Sequence, residues 1–415
     1  MGLNSSIRVV DNRLFVDQVP VLNITHEVET PLYIYSLKRA TENYKAIRDA
    51  FAHLKPHIHY SAKANATMAV LKSLIQSGAG IDAVSGGEIY KAVTAGANPA
   101  DIVFAGVGKT VADIRYALNV GVGWFNIENV AEAKIINEQA KALGRDSVRV
   151  AVRYNPDVTA NTHPYIATGH GGAKFGLTAE AIAGLLEKQG EYKHLTFEGI
   201  HVHIGSNLQD TKPTEEAIER SLELITPYSN IRTLNIGGGM PVAYQPKQEL
   251  PSAADFAAAI TPLVKGYDLV LEPGRAIIAD AGIFVSKVLY TKFQGGQRLI
   301  IIDGSMTELI RPMLYQAKHQ IVPFHHDEEN ELYPTQVHGP VCETTDVMGR
   351  DILLPALDPG DMVAVLTTGA YGTVMSSNYN ARPRPSEVIV REDGYTWAVA
   401  RKRETWADLI KNEVF

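Results

Sequence analysis

The sequence predicts an α/β chain: a TIM-type (β/α)8 barrel joined to a second, mostly antiparallel β-sheet or β-barrel domain. Three observations carry this. Short apolar runs alternate with helical patterns up to about residue 280. Beyond that point extended runs follow one another with little helix. The polar and glycine-rich exceptions gather at the C-terminal ends of the expected barrel strands, the face where such barrels keep their chemistry.

The first barrel strand is expected at "IHYSA" (58–62), leading into the amphipathic helix "TMAVLKSLIQSG". It is followed by "GIDAVS" (80–85), "DIVFAG" (101–106), "GWFNI" (123–127), "RVAVRYN" (149–155), "EGIHVHIG" (198–205), "TLNIGGG" (233–239) and "LVLEPG", which ends at Gly274. Between them lie helical segments such as "GGEIYKAVTAG", "NVAEAKIINEQAKALG", "TAEAIAGLLEKQG" and "TEEAIERSLELITPY". An open doubly wound sheet would need a glycine fingerprint after the first strand, and none is there. The second domain is read from "GIFVSKVLYTKF", "RLIIIDG", "MVAVLTTGAYG" and "SEVIVREDGYTWAVA". The expected division is residues 1–30 as N-terminal strands joining the β domain ("IRVVDNRLFVDQ"), 31–279 as the barrel and 280–415 as the β domain.

Composition narrows the function. The net charge of −7 without a basic run argues against nucleic acid or an anionic membrane as partner. A single cysteine, Cys342, excludes an intramolecular disulfide and fits a cytoplasmic setting. No apolar run has the length of a membrane span, and the N-terminus has no signal-peptide pattern. "MGLNSS" fits a loose myristoylation pattern that no polybasic stretch supports. "GVGKT" (106–110) looks like a phosphate loop, but Val103 stands where that motif needs glycine, so a strand-to-helix turn is expected.

Lys63 follows the first strand, Asp82 lies in the second, Arg153 in the fifth, and His201 and His203 in the sixth. The run Gly237, Gly238, Gly239 sits in the seventh, and Glu272 and Arg275 flank the sharp Pro273-Gly274 turn of the eighth. Together they describe one rim. The glycines let backbone N–H groups approach an anion, and the Ser206 hydroxyl could face the same phosphate. Two apart on a strand, His201 and His203 point to one face, which permits a metal pair if other strand ends supply ligands. A neutral imidazole stacked on an aromatic cofactor suits a single histidine equally well. A lysine amine, a phosphate cradle, a ring-stacking residue and a carboxylate for a protonated ring nitrogen are the inventory of a pyridoxal phosphate site without a metal.

The ordered series "YSAKAN", "HVHIGSN", "NIGGGMP", "EPGR", "IRPMLY", "GPVCET", "GAYG" and "RPRPSEV" spans about residues 60 to 387. In this the chain resembles the diaminopimelate decarboxylases, alanine-racemase-like (fold type III) enzymes that use pyridoxal 5'-phosphate. The resemblance implies that Lys63 holds the cofactor, Glu272 bonds its pyridine nitrogen, His203 stacks on its ring, and Ser206, the backbone around Gly239 and Tyr371 surround its phosphate. It implies substrate contacts from Arg275, Arg311, Tyr315, Glu343 and Tyr371. It further implies a homodimer in which Cys342, the candidate proton donor, and Glu343 enter the partner's site. The expected reaction takes meso-2,6-diaminopimelate to L-lysine and CO2. A carboxylate at the ring nitrogen favours decarboxylation over racemisation, and paired arginines with Glu343 suit a distal carboxylate and ammonium. Two rivals are a cofactor-less regulatory relative, expected to lose the lysine, phosphate loop or cysteine that this chain retains, and a decarboxylase for another amino acid such as carboxynorspermidine. "DGSMTEL", with Gly304-Ser305, and "CETTD", with Thr344-Thr345, depart from the family pattern. The loop "NTHPYIATGHGGAKFG" (161–176) matches it and suits a mobile cover.

Overall fold

The structure is a computed structural model that describes residues 4–159, 168–169, 172–325 and 329–414. Most of the loop expected to cover the site, and the first three residues of "MGLNSS", lie outside that range. The chain opens with a small antiparallel sheet of β1 (Ile7–Val10), β2 (Arg13–Val16) and β3 (Val19–Pro20), followed by β4 (Leu32–Ser36). Eight strands then alternate with helices: β5 (His57–Ser61), β6 (Gly80–Ala83), β7 (Ile102–Phe104), β8 (Trp124–Ile127), β9 (Val148–Tyr154), β10 (Leu195–Val202), β11 (Thr233–Asn235) and β12 (Asp268–Leu271). All eight neighbour pairs are parallel, and β12 closes on β5 through Val270–His57 and Leu271–Ile58, forming a closed barrel.

Each expected barrel strand is present, and seven of the eight end earlier than expected, so Lys63, His203, the glycine run and Glu272 stand just beyond the ladders while Asp82, Arg153 and His201 lie on them. Local chemistry turns the chain there. Ser85, Thr110, Asn129, Thr178 and Ser252 each accept a backbone N–H in the first turn of the helix that follows. Thr110 and Asp113 complete a capping box, so "GVGKT" is the strand-to-helix turn the sequence suggested. Its lysine has a second task. The Lys109 side chain is fully buried and donates to Gly106 O (2.8 Å), Asn126 O (2.7 Å) and Glu132 Oε1 (2.6 Å), tying the exit of β7 to β8.

The chain divides into two compact units, Asn43–Val242 with Leu250–Ala276 and the remainder. The second contains β13 (Gly282–Gln294), β14 (Gln297–Ile302), β15 (Ile321–Pro323), β16 (Tyr333–His338), β17 (Val347–Leu354), β18 (Met362–Val365), β19 (Ser386–Val390) and β20 (Trp397–Arg401). These join β4 in one nine-stranded, mostly antiparallel sheet. Strand β4, placed with the barrel by the expected boundary at residue 31, instead lies between β13 and β19. All five of its residues are buried, so its "LYIYS" pattern matches that of a barrel strand. Strands β1–β3 join this unit through its core rather than through its main ladder: Ile7, Leu14, Val16 and Val19 pack with Ile34, Val285 and Val388.

Replacing Lys109 by methionine leaves Glu132 buried without its cation, and the loss expected is about 3–5 kcal/mol in equilibrium urea unfolding. A loss below about 1 kcal/mol would contradict a structural role for this ion pair.

Candidate active site

Strand β5 ends at Ser61, and one turn, Ala62–Ala64, carries Lys63 over the rim. The Tyr60 hydroxyl anchors that turn by donating to Asn65 O (3.0 Å). Asp82, fully buried on β6, is the register partner of Ser61. Its Oδ2 accepts from Lys63 Nζ (3.3 Å) and from the Ser61 hydroxyl. Burial raises the Asp82 carboxyl, and the Lys63 charge works against that rise.

Glu272 stands just past β12. Its Oε1 accepts from Asn126 Nδ2 on β8 (3.0 Å) and Asn235 Nδ2 on β11 (2.6 Å), and His201 Nε2 on β10 lies 3.4 Å from Oε2. Burial alone would raise this carboxyl. His201, Lys63 and the Asn235 amide outweigh burial and hold Glu272 well below the ordinary glutamate value. The barrel therefore keeps an ionised carboxylate in its interior.

The two histidines part company, against the expectation that both face one way along a strand. Strand β10 ends at Val202, so His201 stays in the barrel beside Glu272 while His203 has entered the following loop. There His203 Nδ1 accepts the Gly238 N–H (3.2 Å), which places the proton of a neutral ring on Nε2. Burial lowers the His203 pKa well below the usual imidazole value, and the charges of Lys63 and Arg153 lower it further. Among the described residues no group of three or more His, Cys, Asp or Glu stands where it could hold a metal.

The glycine run is narrower as an anion cradle than expected. Gly237 N–H goes to Asn235 Oδ1 (2.9 Å) and Gly238 N–H to His203, so two of the three amides are engaged within the protein. Gly237 adopts φ +66°, and a Cβ there would collide with His203 and with Val202 O. The anion-facing part of the expectation then rests on Gly239 and Ser206. The Ser206 Oγ accepts from Arg275 Nε (3.0 Å) and the second guanidinium nitrogen (2.9 Å), so its own proton is directed to an acceptor. Gly274 admits the close approach that brings this turn to the Lys63 strand: a Cβ would meet those of Ser61 and Ala64 at 2.9 and 3.0 Å, and Ser61 N–H bonds Pro273 O (3.1 Å).

Arg153 is buried on β9 and donates to Glu128 Oε1 (2.9 Å), with its guanidinium over the Phe175 ring. Glu128 also takes the amides of Gly106 and Gly176 (3.2 Å each), and its own amide bonds Glu132.

In the β unit, Arg311 opens the short helix Arg311–Tyr315 and is buried. Its guanidinium lies over Tyr244 (4.9 Å to the ring centre) and Tyr315 (6.0 Å), and its Nε donates to His319 Nε2 (3.3 Å). The departing run "DGSMTEL" is internally satisfied: Glu308 accepts from the Ser305 hydroxyl (2.7 Å), the Ser305 amide (2.7 Å) and the Thr307 hydroxyl (2.9 Å). Cys342 and Glu343 occupy an exposed turn with Thr344 and Thr345. Tyr371 has φ +56°, a strained conformation for a tyrosine.

Several site residues escaped the sequence reading. Asn126 sits inside one apolar strand, Asn235 ends another, and Glu128 lies just after β8. Glu88, a helix first-turn acid bonded to Val84 N–H (2.7 Å), is pushed up to about 7 by burial, with the Asp82 charge adding to the rise. Only the pairing of a polar residue with a strand end hinted at any of them.

The barrel interior fits a polar aromatic cofactor. Buried Asp82 Oδ1 and Asn126 Oδ1 have no hydrogen-bond partner, and an amine, an ionised carboxylate and a neutral imidazole converge beside them. Comparison with known proteins agrees. Residues 37–279 match the family described as pyridoxal-dependent decarboxylase, pyridoxal binding domain, which makes this the barrel of a pyridoxal-dependent decarboxylase with pyridoxal 5'-phosphate as its cofactor. The chain is 40% identical over 410 residues to a diaminopimelate decarboxylase of Zymomonas mobilis, covering 96% of each. It superposes on the M. jannaschii diaminopimelate decarboxylase solved with L-lysine with a TM-score of 0.93 at 34% identity, over 100% of this chain and 99% of that one. The Helicobacter pylori enzyme with L-lysine gives 0.89 at 35% identity, over 95% and 99%. The chain belongs to the diaminopimelate decarboxylase family.

The His203 environment makes stability pH-dependent. Its folded pKa lies below the unfolded value, so this contribution is fully present above about pH 6.5 and is lost as the pH falls through the range beneath it. In urea unfolding of the cofactor-free protein, acidification from pH 7.5 to 5.5 is expected to cost the wild type roughly 1 kcal/mol more than His203→Asn. Equal losses would contradict a neutral, half-buried ring.

Proposed function

We propose that the chain decarboxylates the D-configured centre of meso-2,6-diaminopimelate, yielding L-lysine and CO2. The observation that carries this reading is the Glu272 carboxylate, held by the Asn126 and Asn235 amides within the barrel that also presents the Lys63 amine. Bound pyridoxal phosphate supplies an electron sink for cleavage of the bond between Cα and its carboxylate. Lys63 would hold the cofactor through its amine, with Asp82 as its counter-charge. Glu272 would keep the ring nitrogen protonated, since an anion at this point favours a strong sink. His203, neutral and fixed by Gly238, offers its face to the ring. Arg153 and the Pro273-Gly274 turn would border the cofactor, and Ser206 with Gly239 would take its phosphate, Arg275 orienting the serine.

Selectivity falls to the β unit. Arg311, held over Tyr244 and Tyr315, presents a guanidinium to the distal carboxylate, and Glu343 takes the distal ammonium. Arg275 also contributes to substrate binding. Cys342 Sγ delivers a proton to the carbon that has lost its carboxylate. The exposure of Cys342 and Glu343 on one turn supports their acting in the site of a second copy, in a homodimer working in the cytoplasm.

The test is a product assay with purified holoenzyme on meso-diaminopimelate, ornithine and carboxynorspermidine. Lysine and CO2 are expected from the first substrate alone, and turnover of either other substrate in preference would overturn the assignment. Lys63→Ala is expected to lose the visible absorbance of the bound cofactor together with turnover, whereas retained absorbance would remove Lys63 as the attachment point.

A further inference from the structure

The turn that bears Cys342 and Glu343 is fastened by a second, strained turn. Residues Tyr379–Ala381 form one helical turn in which Asn380 (φ +56°, ψ +27°) and Ala381 (φ +52°) are both left-handed. Asn tolerates that conformation; alanine does not adopt it without a compensating constraint. The constraint is visible. Asn378 Nδ2 donates to Arg382 O (2.9 Å) and to Glu404 Oε2 (2.8 Å), Glu404 also binds the Arg384 amide (2.9 Å), and Arg382 donates to Asp303 O (2.6 Å). Held this way, the turn makes two directed contacts. Asn380 Oδ1 accepts the Cys342 N–H (3.1 Å), and the Tyr379 hydroxyl donates to Glu343 Oε1 (2.6 Å). Adjacent residues of one strained turn thus grip adjacent residues of the other.

We propose that Tyr379 and Asn380 are positioning residues, Asn380 setting the pose of the Cys342 thiol and Tyr379 orienting the Glu343 carboxylate for the substrate ammonium. The proposal rests on the roles given to Cys342 and Glu343 above. Tyr379 occupies one carboxylate oxygen and so fixes the direction in which the other is offered. Asn380 acts on the backbone beside the thiol, so its effect falls on proton delivery rather than on substrate binding.

Steady-state kinetics of the holoenzyme with meso-diaminopimelate separate these effects. Glycine adopts a left-handed φ without strain, so Asn380→Gly keeps the fold and removes only the acceptor. Its kcat is expected to fall about 10- to 100-fold with KM within about twofold of wild type and cofactor absorbance unchanged. Asn380→Asp retains an acceptor and is expected to recover most of the kcat, with the basic limb of the pH profile moved upward by the added negative charge near the thiol. Tyr379→Phe is expected to raise KM about tenfold at nearly constant kcat. In a Cys342→Ala background, Asn380→Gly should produce no further fall. Wild-type kcat in Asn380→Gly beside an impaired Cys342→Ala would overturn the positioning role alone. Full turnover by Cys342→Ala would instead remove the proton-donor reading, and the Asn380 role with it. An unchanged KM in Tyr379→Phe would overturn the Tyr379 half.

Discussion

The candidate site depends on keeping one carboxylate charged in the interior of a barrel. Burying an ion costs several kcal/mol even after relaxation. Glu272 meets that cost with the Asn126 and Asn235 amides and with His201 close by. These groups come from β8, β11 and β10, and β8 lies across the barrel from β12 in the strand order. No two-strand fragment could assemble them. Closure of the sheet is therefore a requirement of the chemistry as well as of the fold.

Behind this first set stands a second layer in which two cations balance two carboxylates. Lys109 fixes Glu132, Glu132 receives the Glu128 amide, and Glu128 receives Arg153. Arg153 in turn helps keep His203 neutral. The layer holds a cation near His203 while neutralising it through Glu128, so His203 stays uncharged. The β unit follows a similar economy: Arg311 is aimed by aromatic faces and a neutral His319, whose Nδ1–H is spent on Leu366 O (2.9 Å).

Much of this was legible before the structure. The barrel strands announce themselves because parallel strands covered on both faces are near-continuous apolar runs, and Lys63, Glu272 and Arg275 stand out as polar residues at their ends. Strand β4 misleads for the same reason: "LYIYS" followed by a helix has the texture of a barrel unit, and only its pairing with β13 and β19 reveals otherwise. The separation of His201 from His203 was hidden because a two-residue period holds only while the strand continues. Asn126, Asn235 and Glu128 were invisible because their partners lie as much as 146 residues away, and no local pattern encodes that. Lys109 was read correctly as part of a turn, but its complete burial depends on a carboxylate from the helix that follows β8. The fold is written in local periodicity, whereas the electrostatics of the site are written in closure.

The central claim is that the charge on Glu272 drives the decarboxylation. It is tested most directly by the turnover number of Glu272→Gln, an isosteric change that leaves the side chain able to meet its neighbours and removes only the charge. With cofactor bound and its visible absorbance confirmed, the decarboxylation rate is expected to fall about 10²- to 10³-fold, the scale of losing one preorganised electrostatic contact. A variant that binds cofactor and turns over within about twofold of the wild type would contradict it.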